Sequence, residues 1–434
     1  VQEEPIPYAP VAALPTEYWT RPIYGENNAW FTISGNWLGL AASTFATTGM
    51  RSIYGNVNPY TTAPNTAHIL WSKVAAFGGI IGGEYGGEQT GNYYSTSQYE
   101  PKFAPIIMNG VLYYTEYPGS SSHYTGWKAV NLKTGETLWT KNTTELLRCG
   151  QILNMITPNQ YGGLAYLWSV PSSGGGFMAG QSQYNMYDAL TGEWILSIAN
   201  ATSMQLTSDE NGDLIGYYVN ASAGQRSLTM WNSTRCINIA QGGSVAGGYP
   251  SGLADNWMWR PAEGRMLDFK HGIQWSAPID TTIAGNPITL GISAISDDYI
   301  LMSQASVAGS SYFQAGWIIQ AGYSRIDGHR LWGPLNNTKV MNSRVLYSST
   351  SAGDGIWVEY DAAALTATGF SLATGNRVWG PIELPNVSPY SSLGEQYLFY
   401  NGTSYLWTYG GDVYAIRQSD GTILWEYHTP PAGY

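Results

Sequence analysis

The stretch "LKTGETLW" (Leu132–Trp139) decides the fold, because the chain writes it again. "LATGNRVW" (Leu372–Trp379) and "QSDGTILW" (Gln418–Trp425) share its skeleton. "RIDGHRLW" (Arg325–Trp332) keeps the glycine and tryptophan at the same spacing, and "ALTGEWIL" (Ala189–Leu196) keeps all but the tryptophan. In every copy the residue four places after the glycine is large and apolar: Trp139, Leu196, Trp332, Trp379 and Trp425. Five places before it stands another apolar residue: Val130, Tyr187, Tyr323, Phe370 and Ile416. This is the pattern of a β-hairpin. The Thr-Gly or Asp-Gly pair supplies the positive φ of a tight turn, and the flanking strands present apolar side chains to one packing layer. A tryptophan recurring at the end of each hairpin implies a repeated contact with a neighbouring unit.

The spacing extends the pattern to an array. Trp332, Trp379 and Trp425 follow one another at 47 and 46 residues, Trp275 precedes Trp332 by 57, Trp139 precedes Leu196 by 57, and Trp71 precedes Trp139 by 68. A period of roughly 40–50 residues, stretched by insertions, marks a four-stranded propeller blade. "SLTMWNSTRCINI" (Ser227–Ile239) reads as a worn copy lacking the glycine. The one short helical candidate is "TTELLRC" (Thr143–Cys149). We therefore expect an all-β chain, a β-propeller of four-stranded antiparallel blades. The expected count is seven, with six or eight as alternatives. The blades close near Trp71, Trp139, Leu196, Cys236, Trp332, Trp379 and Trp425. Residues 1–19, rich in proline, form an extended N-terminal arm, because proline removes a ladder donor. Residues 20–434 form one propeller domain with insertions near 78–100 and 240–274.

Composition agrees with a β-rich protein of neutral polar surface. Only 11% of residues are charged, against 14% aromatic, with 52 glycines, 33 tyrosines and 18 tryptophans. The formal net charge of −11 and the lack of a basic run exclude nucleic acid as the expected partner. The longest apolar stretch, "VAAFGGIIGG" (Val74–Gly83), is too short and too glycine-rich to span a bilayer. The opening "VQEEPIPYAP" has no methionine and is read as a mature form after signal removal. Seven N-x-Ser/Thr sequons, at Asn142, Asn200, Asn220, Asn232, Asn336, Asn386 and Asn401, point to N-linked glycans. Together these features place the chain outside the cell, secreted or attached to its surface. Cys149 and Cys236, in no metal or redox motif, are either a structural disulfide or two buried thiols.

Beside this reading stands a resemblance. "GWKAVNLKTGETLW" and "GDVYAIRQSDGTILW" resemble the PQQ-like, or quinoprotein-type, β-propeller repeat over most of residues 100–425. The opening "LPTEYWTRPIYGENNAWFTISGNWLG" (Leu14–Gly39) resembles the start of secreted archaeal propellers of that class. The resemblance implies an alternative function, a quinoprotein oxidoreductase holding PQQ over the axis beside Ca²⁺. The enzymes of that type use a disulfide of adjacent cysteines, and Cys149 and Cys236 are not adjacent.

Chemistry-bearing motifs are sparse. Five histidines (His68, His123, His271, His329 and His428) lie far apart without metal-ligand spacing, so no metal site is expected. "GGGFMA" (Gly174–Ala179) lacks the βαβ context of a dinucleotide fingerprint. "DENGD" (Asp209–Asp213) alternates carboxylates as a Ca²⁺ loop would, but also has the form of a hairpin turn, which we favour. The repeat breaks between Cys236 and Trp275, where Tyr249, Trp257, Trp259 and Arg260 sit in a glycine-rich insertion. Aromatics beside an arginine suit sugar stacking or a protein contact. The leading expectation is a non-catalytic structural or binding module, with other copies of itself, surface proteins or glycans as partners and assembly into a layer or filament open to it. Carbohydrate binding through the insertion is a further alternative.

Overall fold

The structure, a computed structural model, describes Trp71, Lys73 and the span from Ile106 to His428. Within that span it leaves out residues 117–124, 157–160, 172–182, 210, 222–224, 241–260, 262, 297, 307–315, 340–344, 347–351, 362–363, 385–395 and 408–411. The arm at 1–19, the insertion at 78–100 and Asn386 lie outside the described residues.

The described chain is almost entirely β, with six sheets of four or five strands in sequence order, built from antiparallel pairs except for one parallel edge strand on the second, and a two-stranded hairpin, Thr282–Ile283 with Asn286–Pro287. Sheet 1 runs Ile106–Met108, Val111–Glu116, Gly126–Asn131 and Thr137–Asn142. Sheet 2 runs Leu146–Ile156, Tyr161–Val170, Gln183–Asp188 and Trp194–Ala199. Sheet 3 runs Gln205–Ser208, Leu214–Asn220, Ser227–Asn232 and Ile273–Pro278. Sheet 4 runs Gly291–Ser296, Tyr299–Ser306, Gly316–Ser324 and Arg330–Lys339. In sheet 5, Val345–Leu346 and Ala352–Gly353 both pair with Ile356–Asp361, followed by Thr366–Ser371 and Arg377–Glu383. Sheet 6 runs Gln396–Tyr400, Thr403–Trp407, Asp412–Arg417 and Ile423–His428.

The sheets are buried in their middle strands; the last strand is wet in sheets 1 and 6, whereas that of sheet 2, Trp194–Ala199, is largely buried. Gly316–Ser324 and Ile356–Asp361 are buried almost throughout, whereas Thr137–Asn142 and Ile423–His428 are largely exposed. Strands covered on both faces read as continuous apolar runs, which is why "GWIIQAGY" and "IWVEY" do not alternate. The core lies between sheets. Trp332 of sheet 4 stacks on Trp357 of sheet 5 at 5.4 Å, and Trp357 stacks in turn on Phe370 at 4.9 Å.

The repeated phrase is the turn between the third and fourth strands. Its glycine has φ between +73° and +76° at Gly135, Gly192, Gly328, Gly375 and Gly421. The residue before the glycine has a task as well. Thr134, Thr191, Asp327, Thr374 and Asp420 each accept, through a side-chain oxygen, the N–H of the residue two places on. A local side-chain acceptor of this kind stabilises the turn against alternatives. Beyond the turn the pairing slips by one residue in every sheet. Ala129 faces Trp139 and Val130 faces Thr137; the corresponding bulge recurs at Leu196, Trp275, Trp332, Trp379 and Trp425. The bulge re-aims the tryptophan out of its own sheet.

It lands on the glycine of a later turn. Trp71 lies against Gly135, Trp139 against Gly192, Trp275 against Gly328, Trp332 against Gly375 and Trp379 against Gly421. A Cβ at Gly375 would stand 2.6 Å from the Trp332 ring. The indole N–H of Trp71, Trp139 and Trp332 donates to the carbonyl three residues before that glycine, on Leu132, Ala189 and Leu372.

Two elements differ from the sequence expectation. Thr143–Cys149 holds no helix; from Leu146 it is the start of an eleven-residue strand paired with Tyr161–Val170. The helix lies instead at Ser233–Ala240, which we label α1, inside what reads as a worn repeat. Sheet 3 consequently closes at Trp275 and not near Cys236. The polypeptide between its third and fourth strands leaves the sheet, and Arg265–Asp268 pairs in parallel with the outer strand of sheet 2, Arg265 opposite Leu196. Leu196 is fully buried in the core of sheet 2.

The tight seat predicts a graded cost. Gly402 has φ +72° and open space around its Cβ direction, whereas Gly375 has φ +73° and the Trp332 ring. Gly402→Ala should cost only the left-handed strain, about 1–2 kcal/mol. Gly375→Ala should add about 1–3 kcal/mol of overpacking. Urea unfolding of both variants measures the difference.

Candidate functional site

The insertion carrying Tyr249, Trp257, Trp259 and Arg260 leaves the described chain at Ala240 and returns at Pro261. Those four residues lie outside the described residues, and what the structure gives is the ground in which the insertion is rooted, the junction of sheets 2 and 3.

At the first root, Asn232 ends a strand of sheet 3 and caps α1, its Oδ1 accepting the Arg235 N–H at 2.8 Å. Its amide nitrogen donates to Asp213 Oδ2 at 3.1 Å. The other Asp213 oxygen accepts from the Thr234 hydroxyl. Ser233, fully buried, accepts the Leu214 N–H at 3.0 Å. At the second root, Asp268 accepts the Lys270 N–H and caps the short 3₁₀ turn Phe269–Gly272. Trp231 stacks flat on Phe269 at 5.1 Å and donates its indole N–H to the Phe269 carbonyl at 2.9 Å. Arg235 Nε ties α1 to the Ile273 carbonyl at 3.0 Å.

Sheet 2 closes the junction from the other side. Gln151, almost fully buried, accepts from Trp168 Nε1 at 2.8 Å and donates to the Gly212 carbonyl at 2.8 Å. Asn154 N–H donates to the Asn211 carbonyl at 2.9 Å. Gly212 approaches so closely that a Cβ would stand 1.8 Å from the Ile152 carbonyl oxygen. "DENGD" is thus a hairpin turn of sheet 3 clamped onto the first strand of sheet 2. Its two described carboxylates, Asp209 and Asp213, are spent on structure: Asp209 Oδ1 accepts the N–H of Asn211 and of Asp213, at 3.0 and 2.8 Å. Burial and the Asp213 charge push the Asp209 carboxyl up to about 6. The described residues hold no cluster of three or more His, Cys, Asp or Glu side chains fit for a metal ion.

The remaining candidate residues are dispersed. Cys149 lies on the first strand of sheet 2 and Cys236 on α1, and both are free and buried. The disulfide weighed from the sequence is not formed. Each thiol already sits in the apolar core, Cys236 donating weakly to the Asp268 carbonyl, and burial pushes both up to about 12. Of the sequons, Asn142, Asn200, Asn336 and Asn401 are exposed and Asn220 is half-buried. Asn232 differs from these: it is buried, with its amide nitrogen engaged by Asp213 and its side-chain carbonyl capping α1. The Asx-type cap was legible in "WNSTR", but the sequon masked it. His329 pairs with Asp327 and His428 with Asp412, both on exposed ground. No helix among the described residues is long and apolar enough to cross a membrane.

Comparison with known proteins adds little to this geometry. No family model matches the chain, and no curated protein matches it. Among solved structures, BamB from Moraxella catarrhalis is similar over 75% of this chain and 73% of its own, at 9% identity and a TM-score of 0.36. The computationally designed Ika8 protein is similar over 75% of this chain and 86% of its own, at 13% identity and a TM-score of 0.34. Likeness at these scores carries no argument about fold or function.

Two outcomes follow from the junction. Neither cysteine should react with a thiol reagent at pH 8 in the folded protein, and both should react after denaturation, because the thiolate is the reactive form. Asp209 gives a pH dependence. Its carboxyl keeps its proton to higher pH when folded, so the folded state binds more protons between about pH 4 and 6. Stability should fall as pH rises through that window and level off above it. Urea unfolding across pH should show this slope, and Asp209→Asn should abolish it.

Proposed function

We propose that this chain is a secreted, N-glycosylated β-propeller of seven sheets acting at a cell surface as a non-catalytic structural or binding module, with assembly into a layer or filament as its mode of action. The observation that carries the reading is the relay of tryptophans onto turn glycines. The same turn and the same seat recur in sheets 1, 2, 4, 5 and 6, and Trp71 seats on sheet 1 from a segment that precedes it. A regular array of this kind builds a rigid ring, and the resemblance to quinoprotein-type repeats supports the same architecture. The seventh sheet in this reading is supplied by the residues before Trp71.

Exposed Asn142, Asn200, Asn336 and Asn401 support glycosylation, and the low charge supports an extracellular setting. Polar groups at the junction of sheets 2 and 3 are used to fix the roots of the insertion. This favours a second reading in which Tyr249, Trp257, Trp259 and Arg260 form a carbohydrate- or protein-binding loop held on a stiff base.

Expression in an N-glycosylating host tests the leading reading. Glycopeptide mapping should find glycans at several of Asn142, Asn200, Asn336 and Asn401 and none at Asn232. Light scattering at rising concentration should show association. A bare, strictly monomeric protein that reduces a dye with PQQ, Ca²⁺ and an alcohol or sugar would overturn it in favour of the oxidoreductase. For the second reading, Trp257→Ala with Trp259→Ala should abolish any binding on a glycan array.

A further inference from the structure

The last strand is an edge strand in five of the six sheets, and an edge offers a row of backbone N–H and C=O groups to an incoming strand. One place before the tryptophan position that strand carries an apolar residue in all sheets but the third: Leu138, Ile195, Leu331, Val378 and Leu424. Leu138, Leu331, Val378 and Leu424 are exposed, whereas Ile195 is buried. Ile195 belongs to the one sheet whose last strand is covered. Arg265–Asp268 lies along it in parallel, and the Gly264 N–H donates to the Ile195 carbonyl at 2.7 Å. The molecule thus shows on itself what fills this edge, an added strand.

The other edges are blunted, with one exception. Pro334 and Pro381 interrupt the last strands of sheets 4 and 5, and Pro278 ends that of sheet 3. A proline has no N–H to offer a partner strand. Sheet 3 also has Gln274 at the apolar position, and sheet 4 carries the exposed sequon Asn336. Sheet 1 carries Lys141, a residue that disfavours edge pairing, and ends on the exposed sequon Asn142. Ile423–His428 of sheet 6 has no proline, lysine or sequon, and every residue from Leu424 to His428 is exposed.

We propose that Ile423–His428 is a self-association edge, pairing antiparallel with the same strand of a second copy so that the two sixth sheets become one. The proposal deepens the assembly reading above and rests on it. Identical strands related by a twofold axis are necessarily antiparallel. The Ile195 carbonyl turns outward in sheet 2, and Leu424 holds the same place in the bulge of sheet 6. Leu424, Glu426 and His428 therefore turn their backbone groups to the edge. Glu426 and His428 also share a face, His428 Nε2 lying 3.7 Å from Glu426 Oε1. With the axis at Tyr427, Glu426 of each copy stands opposite His428 of the other. Opposite charges then meet twice across the joint, and like charges are never directly opposite.

A cross-link tests the register in the full glycosylated chain. Cys149 and Cys236 are buried, so Tyr427→Cys adds the only exposed thiol. At the axis the two Cα atoms of residue 427 would lie about 4.5 Å apart, within the span of a disulfide. Mild oxidation should join two chains there on the order of tenfold faster than Leu138→Cys on the edge of sheet 1. Two further variants test the pairing by light scattering. Leu424→Lys sets a lysine on both edges, and Glu426→Pro removes an outward N–H that its own sheet does not use. Each should raise the dimer dissociation constant by on the order of tenfold or more. Circular dichroism checks the fold, and because Leu424 is a surface residue, its variant decides if Glu426→Pro unfolds. Association that Leu424→Lys leaves unchanged, or equal cross-linking at residues 427 and 138, overturns this edge and leaves assembly to another surface. A parent protein that stays monomeric at every concentration refutes the assembly reading itself.

Discussion

The structure depends on one contact made repeatedly: a tryptophan of one sheet laid on the turn glycine of another. Three local conditions have to coincide for it. The turn must hold φ near +75°, the β-carbon must be missing, and a bulge must swing the tryptophan out of its own sheet. Each condition is set within the eight-residue phrase or its pairing partner. The phrase is therefore donor at its end and acceptor at its middle, and one short sequence suffices to join neighbours on both sides. An indole buried in this way is a large apolar contribution with a fixed orientation, and in three of the five seats its N–H also satisfies a turn carbonyl.

The break in the relay between sheets 2 and 3 shows what the contact requires. Sheet 2 ends its phrase in Leu196 and sheet 3 has no glycine turn to receive a tryptophan. The two losses occur at the same joint. There, Arg265–Asp268 covers the outer edge of sheet 2, and α1 with the Phe269–Gly272 turn occupies the place of the missing turn. Trp231 stacked on Phe269 supplies apolar area at the junction, and the Gln151, Asp213 and Asn232 hydrogen bonds supply register. A nonlocal excursion of the backbone has replaced a local device, and it carries the aromatic insertion with it.

The legibility of the candidate site follows the same division. The insertion was visible as an interruption of the repeat, with clustered aromatics and an arginine. Its anchoring was not, because the anchors are generic: an asparagine cap hidden in a sequon, a glutamine on a buried strand, a glycine chosen for closeness to Ile152. "DENGD" carried enough carboxylates to suggest a cation, and only the placement of Asn232 and Thr234 beside Asp213 shows that carboxylate used internally. Cys149 and Cys236 show the limit in another way. Two cysteines in a chain do not reveal whether their elements bring the sulfurs together, and here each is absorbed separately by the core.

The sequence alone determined what is local and periodic: the hairpin turn, its left-handed glycine, the apolar positions on either side and the spacing of successive units. These follow from steric rules acting over a few residues, so they are written wherever the phrase is written. Only the tertiary structure decided what depends on partners distant in the chain. It made Thr143–Cys149 the approach to a long strand and Ser233–Ala240 a helix, ended sheet 3 at Trp275, buried Leu196 under a parallel fifth strand and left Trp425 exposed. Whether a strand pairs, a carboxylate is spent or a tryptophan finds a seat is fixed by the neighbour it meets, and that neighbour lies tens of residues away.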